Sequence, residues 1–382
     1  MTSGYKQTEV GLIPVDWDIR SIAQIAPLQR GFDLPTTQIK DGPYPVVYSN
    51  GVMNYHATTM AHGPGVVTGR SGTLGKVHYV DADYWPHNTS LWVTRFNGNV
   101  PRFVYYLYTG IGFVRFASGS GVPTLNRNDA HAFRVPLPPT KAEQQAIAAA
   151  LSDADALIES LGQLIAKKRH LKQGAMQELL TGKKRLPGFS GEWEVKRLGD
   201  IAKFYSGGTP PTAIVSYYGG DIPWITSGDL NKSAILEVGG RITKPGLENS
   251  SAKMIEENTL LIALYGATSG VTAISKIQAA INQAVLAIIP KNDSSTFLFF
   301  KLSYLKDWII STYTQGGQPN LSGDIVKSIE ITLPIVEEQT AIATSHSDMD
   351  AEIAALESKL AKTRSLKQGM MHNLLTGKIR LI

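Results

Sequence analysis

EQQAIAAALSDADALIESLGQLIAKKRHLKQGAMQELLTGKKRL, residues 143–186, returns as EQTAIATSHSDMDAEIAALESKLAKTRSLKQGMMHNLLTGKIRL, residues 338–381. The copies align without gaps at an offset of 195, with 26 identities in 44 positions. A long internal repeat sets the architecture before any local reading does. Within the first copy Ile147, Leu151, Ala154, Ile158, Leu161 and Ile165 step by four and three, the spacing of a helix seam. In the second, Ile342, His346, Met349, Ile353, Leu356, Leu360, Thr363, Lys367, Met370 and Leu374 keep the step. Each copy predicts a helix of about 40 residues, roughly 60 Å long. A narrow seam asks for one partner helix, and the other copy supplies it. The packing residues expected are Ile147, Leu151, Ile158, Leu161, Ile165 and Leu171 with Ile342, Ile353, Leu356, Leu360, Leu366 and Leu374.

Boundary signals agree. Thr140 and Glu143 have capping-box spacing just after Pro138-Pro139. Glu337-Glu338 suits the first turn of the second helix. Gly182 and Gly377 follow Leu-Leu-Thr as helix-ending glycines. Gly174 and Gly369 sit inside the helices, where a glycine costs about 1 kcal/mol against alanine. Close helix approach, a kink and a relic of duplication all remain open for them.

The repeat reaches beyond the helices. Trp17 to Arg20 resembles Trp193 to Lys196, and Gly121, Pro123, Leu125, Leu137 and Pro138 match Gly317, Pro319, Leu321, Leu333 and Pro334. Between these flanks the sequences diverge, yet the layout is shared. Strand-like runs come first: Pro45 to Tyr48, Gly65 to Thr68 and Leu91 to Phe96, against Ile222 to Thr226, Leu260 to Leu264 and Val285 to Ile289. A helix follows (Pro101 to Ala117, or Thr296 to Tyr313), then a Gly-rich loop. Strands and then helices in one unit predict an α+β fold. The divisions expected are 1–138, a central helix 139–182, a linker 183–193, a second domain 194–334 and a C-terminal helix 335–382. The linker start resembles the chain's end, and its finish resembles Gly11 to Trp17. The repeat is thus nearly circular. Antiparallel helices would give a pseudo-two-fold arrangement in which the chain ends meet.

Composition narrows function by exclusion. The chain of 382 residues has no cysteine, so disulfides and thiolate metal sites are excluded, as fits a reducing cytoplasm. No apolar run of about 18 residues occurs, and the N-terminus lacks a signal-peptide core. Net charge is +5, compatible with a nucleic-acid partner but too small to prove one. Gly69 to Lys76 (GRSGTLGK) mimics a phosphate loop, but Arg70 stands where its first glycine belongs and Val77 where Ser or Thr belongs. Glu194-Val195-Lys196 mimics a nuclease strand without a partner acid. The eight histidines are scattered, so no metal site is expected. No catalytic constellation is found.

The divergent segments offer binding chemistry instead. Arg, Lys, Asn, Gln, Ser and Thr read base edges, and predicted loops hold Arg30, Arg70, Ser71, Lys76, Asn126 and Arg127 in the first domain. The second holds Ser206, Thr226, Ser227, Lys232, Tyr265, Gln283, Gln318 and Asn320. Plain surface polarity gives the same composition.

The whole arrangement resembles the specificity (S) subunit of type I restriction–modification systems. The likeness rests on Leu137-Pro138-Pro139 with Glu143 to Ile147, on Leu333-Pro334 with Glu338-Gln339, and on the doubled Lys-Gln-Gly and Leu-Leu-Thr-Gly-Lys blocks. The openings Ile13 to Trp17 and Phe189 to Val195 also fit. The resemblance implies two target recognition domains, each reading half of a bipartite DNA sequence. It implies two long antiparallel coiled-coil helices that set the spacer, and a subunit that catalyses nothing. Two methyltransferase subunits using S-adenosylmethionine to modify adenine would dock on it, joined by a restriction subunit using ATP and magnesium. Divergence between the domains then predicts an asymmetric target. The competing readings are a coiled-coil scaffold that binds protein without DNA, and an enzyme with cryptic motifs.

Overall fold

The computed structural model describes residues 4–118, 123–314 and 320–381. The chain is α+β. It forms two compact units, Met1–Gln163 with Glu357–Ile382, and Leu164–Leu356. Each unit therefore holds one divergent segment and part of each long helix.

The long helices run Lys141–Leu179 and Val336–Leu375. Thr140 Oγ1 accepts the Glu143 N–H at 3.2 Å, giving the expected cap. The Glu143 carboxylate does not return to the cap. It is 3 % exposed and receives Arg380 through two bonds of 2.7 and 2.8 Å, plus the Trp17 indole N–H at 3.3 Å. Arg380 also reaches Asp16, and Tyr5 donates to the Gly377 carbonyl, so the chain ends meet within the first unit. In the second unit Arg185 grips Glu338 at 2.5 Å. The residue after each helix is left-handed, with φ 72° at both Gly182 and Gly377. A side chain there would meet Trp193 at 3.3 Å, or Pro14 at 2.5 Å and Trp17 at 3.2 Å.

Within each unit the helix segments pair antiparallel. Lys367 reaches Asp155 at 2.5 Å in the first. In the second, Lys168 reaches Glu352 at 2.6 Å and Lys172 pairs with Asp350. Ile147, Leu151 and Leu161 with Leu374 are buried in the first unit, Ile165 with Ile342 and Ile353 in the second, and Ile158, Leu356 and Leu360 are half-buried. Leu171 and Leu366 correct the expectation: both face out, 56 % and 64 % exposed. The seam passes through the neighbouring Lys172 and Lys367, whose ammonium groups lie 5.9 Å from the Phe300 ring and 5.5 Å from the Tyr106 ring. Gly174 and Gly369 have open space on their side-chain side, which removes close helix approach as their reason.

The divergent segments share one topology. In the first unit, strands Leu28–Arg30, Ser90–Val93, Gly65–Gly69 and Val77–Val80 lie in that order in an antiparallel sheet. In the second, Ala202–Ser206, Val285–Pro290, Leu260–Ala263 and Thr272–Ser275 repeat it, with Ala234–Ile235 added at the edge. The second sheets match through a parallel pair: Tyr44–Tyr48 with Trp85–Pro86, and Tyr218–Ile225 with Ala279–Ile281. The strand after each tryptophan closes its domain, Asp18–Ser21 on Arg134–Leu137 and Glu194–Arg197 on Glu330–Leu333. One helix per unit docks the sheet on the long helices. Pro101–Ile111 is shorter than expected because Gly112 turns left-handed (φ 70°) and Phe113–Phe116 tightens to a 3-10 turn. Its counterpart is Ser295–Tyr313. Gln144 and Gln339 clamp the two starts identically, accepting the Val100 N–H at 2.9 Å and the Ser294 N–H at 3.0 Å. Among the described residues no helix is long and apolar enough to cross a membrane.

Candidate nucleic-acid interface

Equivalent strands deliver equivalent polar loops. Leu91 lies opposite Arg30 and Thr68, while Leu286 lies opposite Ser206 and Ile262. That register makes Arg30 the counterpart of Ser206, and Arg70 the counterpart of Leu264.

In the first unit the turn His87-Asn88-Thr89 gathers the others. The Thr89 carbonyl accepts the N–H of Arg70 at 2.9 Å and of Ser71 at 3.2 Å, and Arg70 Nη1 reaches the Asn88 carbonyl at 3.4 Å. Arg30 pairs with Asp33 at 3.0 Å, and the same carboxylate accepts the Asn88 amide N–H. The His87 ring stacks on Tyr48 with centroids 4.1 Å apart. Burial lowers the His87 pKa, and the Leu34 backbone and Asp33 only partly oppose it. The ring nitrogen that accepts the Thr89 N–H is therefore the acceptor of a neutral imidazole.

In the second unit Asn282 takes the place of His87, its side chain accepting the Ala284 N–H at 3.0 Å. The Asn282 carbonyl holds the Gly207 N–H at 3.2 Å. Thr209 Oγ1 donates to Gln283 Oε1 at 2.6 Å. Leu264 closes the set by bonding Ala284 and accepting the Leu321 N–H, both at 2.8 Å. The arrangement presents amides, hydroxyls and, in the first unit only, two guanidiniums at the sheet loops. Such groups offer hydrogen-bond donors and acceptors, and the Thr89 hydroxyl among them lies 3.0 Å from His87 Nδ1. Among the described residues no group of His, Cys, Asp and Glu could hold a metal ion.

Residues 14–167 and 190–363 match the family described as type I restriction modification DNA specificity domain. The chain belongs to that family. As an S subunit it carries the specificity domain twice, one copy for each of the two repeats. It is 25% identical over 422 aligned positions to the putative type I restriction enzyme MjaX specificity subunit of Methanocaldococcus jannaschii, covering 99% of this chain and 97% of that protein. It is 35% identical over 165 residues to the MjaIX specificity subunit of the same organism, covering 42% of this chain but only 38% of that protein. The crystal structure of the type I S subunit from M. genitalium aligns with a TM-score of 0.63 at 18% identity, covering 98% of this chain and 99% of that one. At that identity the likeness is one of fold.

Within this S subunit, Arg30, Arg70 and Ser71 come together around the turn, as do Ser206, Tyr265 and Gln283 in the second unit. Tyr265 is 43 % exposed at the start of its loop. Lys76, Lys232 and Arg127 are exposed beside these loops. Two sequence-selected residues have local structural work instead. Asn126 caps helix Arg127–Ala132 by accepting the Asn128 N–H, and Thr226 forms a capping box with Asp229. Ser227 opens the 3-10 turn that follows, and Asn320 is exposed. Gln318 lies outside the described residues. Sequence reasoning missed Asp33, Asn88 and Thr89. Their signal was positional: Asn88 and Gln283 lie 195 residues apart, the offset of the helix repeat.

Proposed function

We propose that each unit reads one half of an asymmetric, bipartite double-stranded DNA target, and that the subunit catalyses nothing itself. The observation that carries this is the repeated set of polar loops on one topology, differing in charge at matched positions. Arg30 and Arg70 face Ser206 and Leu264 in that comparison, so the half-sites differ. The long helices set the spacer between them, a role supported by the antiparallel ion pairs inside each unit. Two identical methyltransferase subunits dock on the repeated surface. Leu171 and Gly174 recur as Leu366 and Gly369, and both pairs are exposed and unused in packing. S-adenosylmethionine is the partners' cofactor, and a restriction subunit using ATP and magnesium completes a cytoplasmic complex.

Duplex binding by the full chain across a salt series tests the core reading. Contact with phosphates makes log K fall with log salt by about 0.9 per phosphate, whereas a flat response favours a protein-binding scaffold and overturns it. Whole-heptad insertions in both long helices, between Leu157 and Leu171 and between Glu352 and Leu366, should lengthen the methylated spacer and leave both half-sites intact. Altered half-sites would defeat the spacer role.

A further inference from the structure

Two amide side chains, Asn88 half-buried and Gln283 exposed, occupy the same place in the two units, and each is tied to the same partner position. Asn88 and Gln283 each stand two residues before the strand residue that faces Gly69 or Ala263. Asp33 and Thr209 each stand three residues after the matched strand ends Arg30 and Ser206. Asn88 bonds Asp33, and Gln283 bonds Thr209. The chemistry of the tie differs. Asp33 can only accept, so it takes one amide N–H of Asn88 and leaves the Asn88 carbonyl oxygen without a bond among the described residues. Thr209 donates to the Gln283 carbonyl and leaves the Gln283 amide N–H groups without a bond among the described residues. The loops Ser206–Thr209, Leu264–Val271 and Asn282–Ala284 contain no charged residue, so nothing overrides that choice in the second unit.

We propose that Asn88 and Gln283 are the matched base-reading residues of the two units and that they have opposite hydrogen-bond polarity. Asn88 offers an acceptor to an exocyclic amine, adenine N6 or cytosine N4. Gln283 offers donors to an acceptor edge, guanine O6 and N7 or thymine O4. Asp33 and Thr209 are positioning residues. The inference rests on the DNA reading above and adds the class of base at one position in each half-site.

The test is selection of a randomised duplex library by the full chain, followed by sequencing. The wild type should enrich a bipartite motif. Gln283→Glu replaces donors by acceptors. It should switch one position, in one half-site only, from an acceptor-edge base to an amine-bearing base, with relative enrichment changing roughly tenfold or more. Asn88→Ala should relax one position in the other half-site. Thr209→Val frees the amide and should relax the position that Gln283→Glu switches. Unchanged preference at every position in Gln283→Glu overturns the proposal, as does a change in the half-site that Asn88→Ala affects. If Gln283→Glu binds nothing, Thr209→Val decides alone, and an unaltered motif overturns the proposal. A wild-type protein that enriches no sequence defeats the DNA reading itself, a result distinct from these.

Discussion

Trp17 and Trp193 hold the same place in the two units, yet their surroundings differ. The Trp17 indole donates to Glu143, while the Trp193 N–H is buried without a partner among the described residues. Glu338 is turned to Arg185 instead, and Trp193 lies under two cations, Lys301 at 5.2 Å and Arg185 at 5.8 Å from the ring. Lys301 stands where the first unit has Leu107, and His346 where it has Leu151. All four are buried. Both units bond one buried carboxylate, Glu143 to Arg380 and Glu338 to Arg185. The first fills the rest of its helix–domain junction with Leu107 and Leu151, the second with Lys301 and His346. Duplication preserves the frame but not the means of filling it.

His346 gives the largest way to break that comparison. Among the described residues it has no hydrogen-bond partner, it packs on Phe300 with ring centroids 5.2 Å apart, and burial and the Lys172 charge lower its pKa to about 4 while Asp350 opposes them. Its folded pKa lies below its unfolded one, so the unfolded state binds the proton between pH 6.5 and 4. Stability from neutral His346 is full above pH 6.5 and is lost as pH falls through that window, by about 3 kcal/mol near pH 4. Denaturant melts of His346→Leu against wild type at pH 7 and 4.5 should show the variant losing less. Equal losses would mean the residue does not titrate in the seam.

Lys301 has a signature of the same sign in the alkaline range. Burial lowers its pKa to about 8, although its ammonium bonds the Leu180 carbonyl at 2.6 Å and Thr332 Oγ1 at 3.0 Å. The unfolded state binds the proton between pH 8 and 10.5, so stability rises with pH across that range by about 3 kcal/mol. Lys301→Met should flatten the rise in melts run from pH 7.5 to 10. A parallel slope in both proteins would assign the titration elsewhere.

Leu366→Ala gives the smallest effect. An exposed leucine outside the seam should cost under about 0.5 kcal/mol, whereas Leu151→Ala should cost about 2–5 kcal/mol. A large loss for Leu366→Ala would return it to the seam. Binding of methyltransferase subunits should weaken in the same variant if the outward leucines dock them.

Sequence reading located the frame well because helix periodicity and glycine stops are local signals. Ile147, Leu151, Ile342 and Leu374 were legible as seam residues from spacing alone. Leu171 and Leu366 were misjudged because hydrophobicity outweighed the spacing, which already passed through Lys367. The loop site was half legible. Residue type selected Arg30, Arg70 and Gln283, but it also selected Asn126, whose oxygen is spent on the Asn128 N–H, and Thr226, whose hydroxyl is spent on the Asp229 carboxylate. Type alone does not distinguish a capping oxygen from a free one, since the same groups do both.

By itself the sequence determined that the chain is a duplication, where its long helices start and stop, and that its divergent segments carry polar loops. Those follow from periodicity and short-range stereochemistry. Tertiary structure alone decided that each compact unit takes part of both long helices, that Glu143 and Glu338 are salt-bridged clamps, and that Asn88 matches Gln283. These depend on strand register and on contacts between residues more than a hundred positions apart, for which no local pattern in the chain has a physical cause.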